Sequence, residues 1–168
     1  MIKTIIYGDF SIMREGLRRL IDDQHQVSVI STDSYRNGGG KTVPRTPCNL
    51  AILINNSSDT TALRFLKGYR EAHPGVPVLV LSCTREDACA DRFFKEGADG
   101  FLTSECDADE LNQAIERVAG GEKYLNSKLA ERLAFRILDT GGRSPHETLS
   151  PREREVMGHI ACGKNLKD

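Results

Sequence analysis

Residues 48–58 constrain the fold more than any other part of the chain. They read CNLAILINNSS, so the five apolar residues 50–54 stand between polar and turn-forming ends. A continuous apolar run of this length predicts a strand buried on both faces, as at the centre of a parallel sheet. Functional side chains gather at the carboxyl ends of such strands in open α/β sheets. At that end of this strand stands Ile54, with no acid beside it.

Four more short apolar runs predict strands at residues 2–7, 27–30, 76–81 and 101–102. Between them lie segments with helical spacing of apolar residues. The predicted apolar faces consist of Ile12, Gly16, Leu17, Leu20 and Ile21; of Ala62, Phe65, Leu66 and Tyr69; of Ala90, Phe93 and Phe94; and of Leu111, Ala114, Ile115 and Val118. Asp107 is predicted to cap the last of these helices, and His73-Pro74-Gly75 to end the second. Alternating strands and helices favour an α/β fold with a doubly wound, five-stranded parallel sheet.

The pattern changes after residue 121. Leu125, Leu129, Leu133 and Ile137 recur every four residues and predict a linker helix, followed by a polar Gly/Pro/Ser-containing loop at 139–148. Ser150, Pro151 and Glu153 then have the pattern of a capped helix start. We therefore predict three regions: a first domain over 1–121, a linker helix and loop over 122–147, and the start of an all-α domain over 148–168.

Charge and cysteine content exclude several function classes. The formal net charge of −1 does not indicate a nucleic-acid coat or a polybasic membrane surface. The five cysteines form no CxxC pair and are odd in number, which is typical of free thiols. No run approaches ~18 apolar residues. We expect a cytoplasmic protein with no membrane partner.

Four segments together resemble the bacterial response regulators that join a receiver domain to a LuxR-type helix-turn-helix, the NarL/FixJ group. Ile12-Met13-Arg14-Glu15-Gly16-Leu17 resembles the family's first receiver helix, and Gly97-Ala98-Asp99-Gly100-Phe101-Leu102 its turn into the fifth strand. Gly121-Glu122-Lys123-Tyr124-Leu125 resembles the exit from the receiver, and Leu149-Ser150-Pro151-Arg152-Glu153-Arg154-Glu155-Val156 the start of the output domain. The resemblance implies a CheY-like receiver in a two-component phosphorelay.

The resemblance also implies positions for a phosphorylation site. The family's acid pair corresponds to Gly8 and Asp9, its phospho-accepting aspartate to Ile54, its hydroxyl to Ser82 and its lysine to Ser104. A carboxylate nucleophile and hard oxygen ligands for Mg²⁺ are required for this chemistry. Because three of the five groups are missing, we expect a degenerate pseudo-receiver that is not phosphorylated on aspartate. Neither catalytic residues nor a cofactor nor a metal site is expected.

Several residues carry two interpretations. Asp9 is either a surviving metal ligand or the N-cap of the first helix, and Ser82 is either a relic hydroxyl or a turn cap. The resemblance gives Phe101 as the aromatic that swings in the active state, whereas plain core packing is the alternative. Cys83 and Cys106 are candidate oxidant sensors. The argument against this role is that, apart from Arg85, the sequence places no cationic residue near them that would lower the thiol pKa.

Two further motifs are weak. Residues 38–42, GGGKT, invite comparison with a phosphate-binding loop, but the glycine required five residues before Gly40 is Tyr35. A flexible loop in place of the family's second helix is the plainer interpretation. The four histidines are scattered without metal spacing, so zinc is not expected.

The expected function is a DNA-binding transcriptional regulator whose receiver acts as a dimerisation or regulatory module. Its alternative is a protein-interaction or ligand-sensing module without DNA binding of its own. The recognition helix would lie beyond Asp168, so we expect a fragment of a longer regulator, with natural truncation as the alternative, and the DNA-contacting residues stay unknown. A homodimer is expected, with a protein regulator as a second partner. The predicted interface residues are Phe101, Leu111, Ile115 and Val118, with the linker helix as a further seam.

Overall fold

The computed structural model of the chain describes residues 1–23, 26–35, 47–56, 60–83, 88–126 and 129–131. Nearly all of them belong to one compact unit, Met1–Leu129. No helix within these ranges is long and apolar enough to span a bilayer.

Six strands in the described ranges form one sheet. They are β1 (Ile2–Tyr7), β2 (Val27–Asp33), β3 (Leu50–Asn55), β4 (Val78–Ser82), β5 (Gly100–Thr103) and β6 (Tyr124–Leu125). Their order is β2-β1-β3-β4-β5-β6, and every neighbouring pair is parallel. The predicted parallel α/β fold is therefore confirmed. The predicted number of five strands is wrong, because the two residues of β6 pair with β5 and are too few to show a strand period.

Four helices flank the sheet in the same ranges: α1 (Ser11–Asp22), α2 (Thr61–Ala72), α3 (Ala88–Lys95) and α4 (Ala108–Ala119). Apolar residues of α1 and α4 share one core with Ile6, Ile52 and Ile54 of the sheet. Alternate residues of these strands point to the opposite face, where Tyr7 packs on Phe65 of α2 with ring centroids 4.9 Å apart. The sheet thus lies between α1 and α4 on one side and α2 and α3 on the other.

The ends of two helices agree with the sequence. The N-cap of α4 is Asp107, whose Oδ1 accepts a hydrogen bond of 2.8 Å from the backbone N–H of Glu110. Helix α2 ends at Ala72, and its C-cap is His73. Both predictions are confirmed.

The buried face of α1 differs from the predicted one. Leu17 and Ile21 are buried and Met13 packs against the same core, whereas Ile12 is 81% and Leu20 54% exposed. The prediction was wrong for Ile12 and Leu20, because two stripes at spacing four lie side by side on this helix and hydropathy alone does not rank them. We call the exposed residues Ile12, Gly16 and Leu20 the outer stripe of α1.

The region after α4 also differs. The predicted linker helix begins too early, because Tyr124 and Leu125 extend the sheet as β6. Residues 129–131 are helical, and Leu129 is buried. The remainder of the linker and the predicted output-domain start lie outside the described residues.

Candidate functional site

The carboxyl ends of β1, β3, β4 and β5 meet at one edge of the sheet, and four predicted site residues lie there. They are Gly8 after β1, Ile54 in β3, Ser82 in β4 and Ser104 after β5. The strands are in register at this edge, where Asn55 pairs with Ser82 and Ser82 with Thr103. The chain therefore brings these four backbone positions together as the parallel sheet requires.

Ile54 fills the space beside Gly8. Its side chain is 1% exposed and belongs to the core between α1 and α4. A Cβ placed on Gly8 would lie 3.1 Å from Ile54 Cβ and 3.3 Å from Ile54 Cδ1. Optimal contacts between carbon atoms are longer, ~3.5–4.0 Å. Hydrocarbon thus occupies the space into which a side chain at position 8 would project.

Arg14 contacts the same glycine from α1. Its guanidinium Nη1 donates a hydrogen bond to the Gly8 carbonyl oxygen. Its Nε is buried and has no partner among the described residues. This contact was not predicted, because a lone arginine in the first turn of a helix carries no signal for a backbone partner.

Asp9 does not cap α1. The N-cap is Phe10, which makes no side-chain capping bond. The Oδ1 of Asp9 instead accepts a hydrogen bond of 3.5 Å from the hydroxyl of Ser34, after β2. The predicted N-cap is therefore wrong, because the helix begins one residue later and Asp9 turns towards the neighbouring strand.

The hydroxyl of Ser82 is fully buried and bonded within the sheet. Asn55 Nδ2 donates a hydrogen bond of 3.4 Å to Ser82 Oγ. Since neighbouring strand residues point to opposite faces, Asn55 and Ser82 lie on the side away from Ile54. The structure thus places Ser82 beside Ile54 in the sheet but directs the two side chains to different faces.

Ser104 and Ile54 do share a space, which we call the α1–α4 cleft. The cleft measures about 310 Å³. Its lining residues are Met13, Leu17, Leu20, Ile54, Leu81, Cys83, Ser104, Cys106, Asp107, Ala108 and Leu111. Gly8, Asp9 and Ser82 are not among them. The described walls of this cleft come from four separate chain segments, so no local sequence pattern indicates it.

The predicted interface residues of α4 belong to the chain's own core. Leu111 is 5% exposed, and Ile115 and Val118 are fully buried. They offer no surface to a second chain without unpacking α4 from the sheet, so their assignment to an interface is wrong. The amphipathic pattern that suggested an interface is the one by which α4 covers the sheet.

Phe101, the fourth predicted interface residue, is also fully buried. Its ring packs against Phe93 of α3 with centroids 5.8 Å apart. It offers no interface surface, and the swing that the resemblance implies for the active state would have to change this contact.

The thiols at the site lie in a poorly solvated environment. Burial raises the pKa of Cys83, and burial together with the nearby Glu110 and Asp107 carboxylates raises the pKa of Cys106 to about 11. A thiol with a raised pKa is a poor nucleophile at neutral pH. These surroundings count against the interpretation of Cys83 and Cys106 as oxidant sensors.

The structure describes neither the GGGKT segment nor His25. Within the ranges it describes, no three His, Cys, Asp or Glu side chains come together as a set of metal ligands.

The parallel sheet in the order β2-β1-β3-β4-β5-β6 has the doubly wound topology that receiver domains share with flavodoxin-like proteins. A sequence profile of the response regulator receiver domain matches residues 5–116, so the chain belongs to this family. Receivers are regulatory domains. This chain resembles regulators of the NarL and UvrY type in sequence.

The curated relatives cover nearly the whole chain. A nitrate/nitrite response regulator protein homolog of Haemophilus influenzae is 30% identical over 168 residues, which are 99% of this chain and 78% of the relative. Response regulator GacA of Pseudomonas protegens is 23% identical and matches 98% of this chain and 78% of its own length. Among solved structures, RcsB dimers bound to DNA superpose with a TM-score of 0.70 at 19% identity, over 98% of this chain and 78% of that one. The last likeness shows the fold alone.

Proposed function

We propose that this chain is the receiver of a DNA-binding transcription regulator and that it signals without aspartyl phosphorylation. The contact of Ile54 with Gly8 carries the proposal. Phosphoryl capture needs a carboxylate nucleophile and oxygen ligands for Mg²⁺, and the side chains at positions 54 and 8 supply neither. Ser104 adds no positive charge for the phosphoryl oxygens, where the resemblance implies a lysine.

A neighbouring residue does not replace the missing nucleophile. Asn55 follows Ile54, but its amide is 2% exposed and bonded to Ser82 on the other face. An amide does not form an acyl phosphate, and the same holds for Asn56. Asp9 is then the one acid left of the implied set, and a single carboxylate holds Mg²⁺ weakly.

The decisive experiment incubates the full 168-residue chain with acetyl phosphate and Mg²⁺ and measures its intact mass. We expect no phosphoryl adduct. The matched control carries Gly8→Asp, Ile54→Asp and Ser104→Lys together, which restores the three missing groups, and it reports whether the scaffold still supports the chemistry. A base-labile phosphoryl adduct on the unaltered chain would refute the proposal.

We further propose that the receiver forms a homodimer through the outer stripe of α1. Ile12 is 81% and Leu20 54% exposed on this stripe, Phe10 just before the helix is 58% exposed, and exposed apolar side chains that gather on one surface favour an interaction site. Gly16 lies in the middle of the stripe, and an added Cβ there would meet no described residue within 4 Å. A glycine in a helix interior costs ~1 kcal/mol relative to alanine, so its presence favours a close approach from outside the chain.

A concentration series in sedimentation velocity tests the dimer. We expect association at tens of micromolar that is lost in Ile12→Glu. The control is Ile30→Glu, which places the same charge on a 36% exposed residue of β2. Equal loss in both variants would contradict a role for the stripe. A strict monomer would favour the second candidate, a separate protein regulator bound to the same exposed surface, without DNA binding by this chain.

A further inference from the structure

The α1–α4 cleft has the form of a small-molecule site. Ile54 and Leu81 come from the strand ends, Met13 and Leu17 from α1 and Leu111 from α4. Its volume of about 310 Å³ is at the lower end of the ~300–1,000 Å³ that ligand pockets occupy. The cleft also lies where open α/β sheets place their ligands, beyond the carboxyl ends of the strands.

The charges around the cleft select against anions. Among the described residues that line it, Asp107 is the only charged one, and its carboxylate already caps α4 through the Glu110 N–H, at 2.8 Å. Arg14 is nearby, but its guanidinium is bonded to the Gly8 carbonyl oxygen and does not line the cleft. No described lining residue would balance the charge of a phosphate or carboxylate, and an unbalanced charge is costly in a poorly solvated space.

The polar groups of the cleft are few and uncharged at neutral pH apart from Asp107. The raised pKa values of Cys83 and Cys106 keep both thiols protonated and reflect poor solvation on this side. Ser104 is exposed at the turn after β5 and presents one hydroxyl. These groups fit a ligand with a large apolar body and a single hydrogen-bonding group.

From this geometry we propose that the α1–α4 cleft binds a neutral, mainly apolar small molecule in place of the phosphoryl signal. The inference rests on the proposed function, because a site that captures phosphate has no use for an uncharged ligand there. Leu20 belongs both to the cleft and to the outer stripe of α1, so a bound ligand would contact part of the surface proposed for the dimer. The two surfaces have different linings: the cleft has a buried floor at Ile54, whereas Ile12 is exposed and lies with Glu15, Gly16 and Arg19 around a separate depression on α1.

Fluorescence titration of the full chain with prodan, a neutral naphthalene ketone, tests the proposal. We expect saturable binding with one site per chain and a blue-shifted emission. The anionic naphthalene 1-anilinonaphthalene-8-sulfonate is expected to bind at least about tenfold more weakly, a difference of ~1.4 kcal/mol. Equal affinities for the two dyes, or binding that does not saturate, would overturn the inference.

Two cleft variants and one control locate the site. Leu20→Glu charges the rim, and Ser104→Trp fills the cleft from an exposed position, so neither disturbs the core. We expect each to weaken prodan binding about tenfold, while Ile12→Glu on the same helix leaves it within about twofold. A circular dichroism melt of each variant verifies its fold. An equal loss in all three variants would place the dye elsewhere and overturn the proposal.

Two outcomes separate this inference from its premise. If Leu20→Glu and Ser104→Trp bind prodan as tightly as the unaltered chain, the cleft is not the binding site and the small-molecule inference fails by itself. If the unaltered chain takes a phosphoryl group from acetyl phosphate, the proposed function fails whatever the dye does. Failure of the dye alone leaves phosphorylation-independent signalling intact.

Discussion

Replacing Gly8 with alanine gives the sharpest test of the hydrocarbon contact at the site. The new Cβ would lie 3.1 Å from Ile54 Cβ and 3.3 Å from Ile54 Cδ1, so atoms must move. Overpacking of this kind costs ~1–3 kcal/mol. Loss of glycine's freedom in the unfolded chain offsets ~0.4–1 kcal/mol of that. We therefore expect a net destabilisation of about 1–2 kcal/mol and a fall in Tm of about 5 °C.

A double-mutant cycle tests whether contact with Ile54 causes the destabilisation by Gly8→Ala. Ile54→Ala alone should cost ~2–5 kcal/mol, because the side chain is 1% exposed and leaves a cavity. It also removes the Cδ1 that an alanine at position 8 would meet. The combined variant should then be more stable than the sum of the single effects by about 1 kcal/mol. Urea denaturation of the full chain, followed by circular dichroism, measures all four free energies of unfolding.

Gly16→Ala provides the matched control for this cycle. In the described part of the chain, an added Cβ at Gly16 meets nothing within 4 Å and the helix continues on both sides, so the change should stabilise by ~0.5–1 kcal/mol. It should not couple to Ile54→Ala. Ile54→Ala keeps the Cβ at 3.1 Å, so strict additivity with Gly8→Ala would refute a role for the Cδ1 contact, and a stabilising Gly8→Ala would refute the steric reasoning about the site as a whole.

Three other perturbations have outcomes set by the structure. Gly100→Ala should lower the free energy of unfolding by about 3 kcal/mol, because an added Cβ would lie 2.7 and 2.8 Å from two buried side-chain carbons. An unchanged midpoint of urea denaturation would contradict this and show that the core relaxes around the new methyl group. Asp107→Ala should cost ~1 kcal/mol through the lost cap of α4, more than the neighbouring control Asp109→Ala. Burial raises the pKa of Cys106 to about 11, so the rate of its alkylation by iodoacetamide should keep rising with pH well above 9. Peptide mass mapping measures this rate. A rate that levels off near the ordinary thiol pKa of ~8.5 would contradict the burial of Cys106.

The sequence predicts the strands well because buried strands have a local signature. The run at residues 50–54 became β3, which is buried along its whole length. Strand β6 and the inward face of α1 were not predicted correctly, and both failures have the same cause. A two-residue strand and the choice between two adjacent helical stripes depend on partners distant in sequence, and periodicity does not report these.

Some features of the candidate site could likewise be predicted from the sequence and others could not. Alignment with a receiver places Ile54 and Ser104 at the edge of the sheet, and both line the α1–α4 cleft. The partner of Asp9 could not be predicted, because the hydroxyl of Ser34 reaches it from β2, 25 residues away. Likewise Leu111, Ile115 and Val118 have the apolar spacing of an interface, yet only packing on the sheet decides that the spacing serves the core.

The close fit of Gly8 and Ile54 has a consequence for the history of the chain. An acid restored at position 8 alone would collide with isoleucine, and an acid restored at position 54 alone would give up buried hydrocarbon for an unbalanced charge. Each single substitution towards an acid at this edge would thus pass through a less stable intermediate. Selection on stability alone therefore disfavours the gain of both acids one substitution at a time.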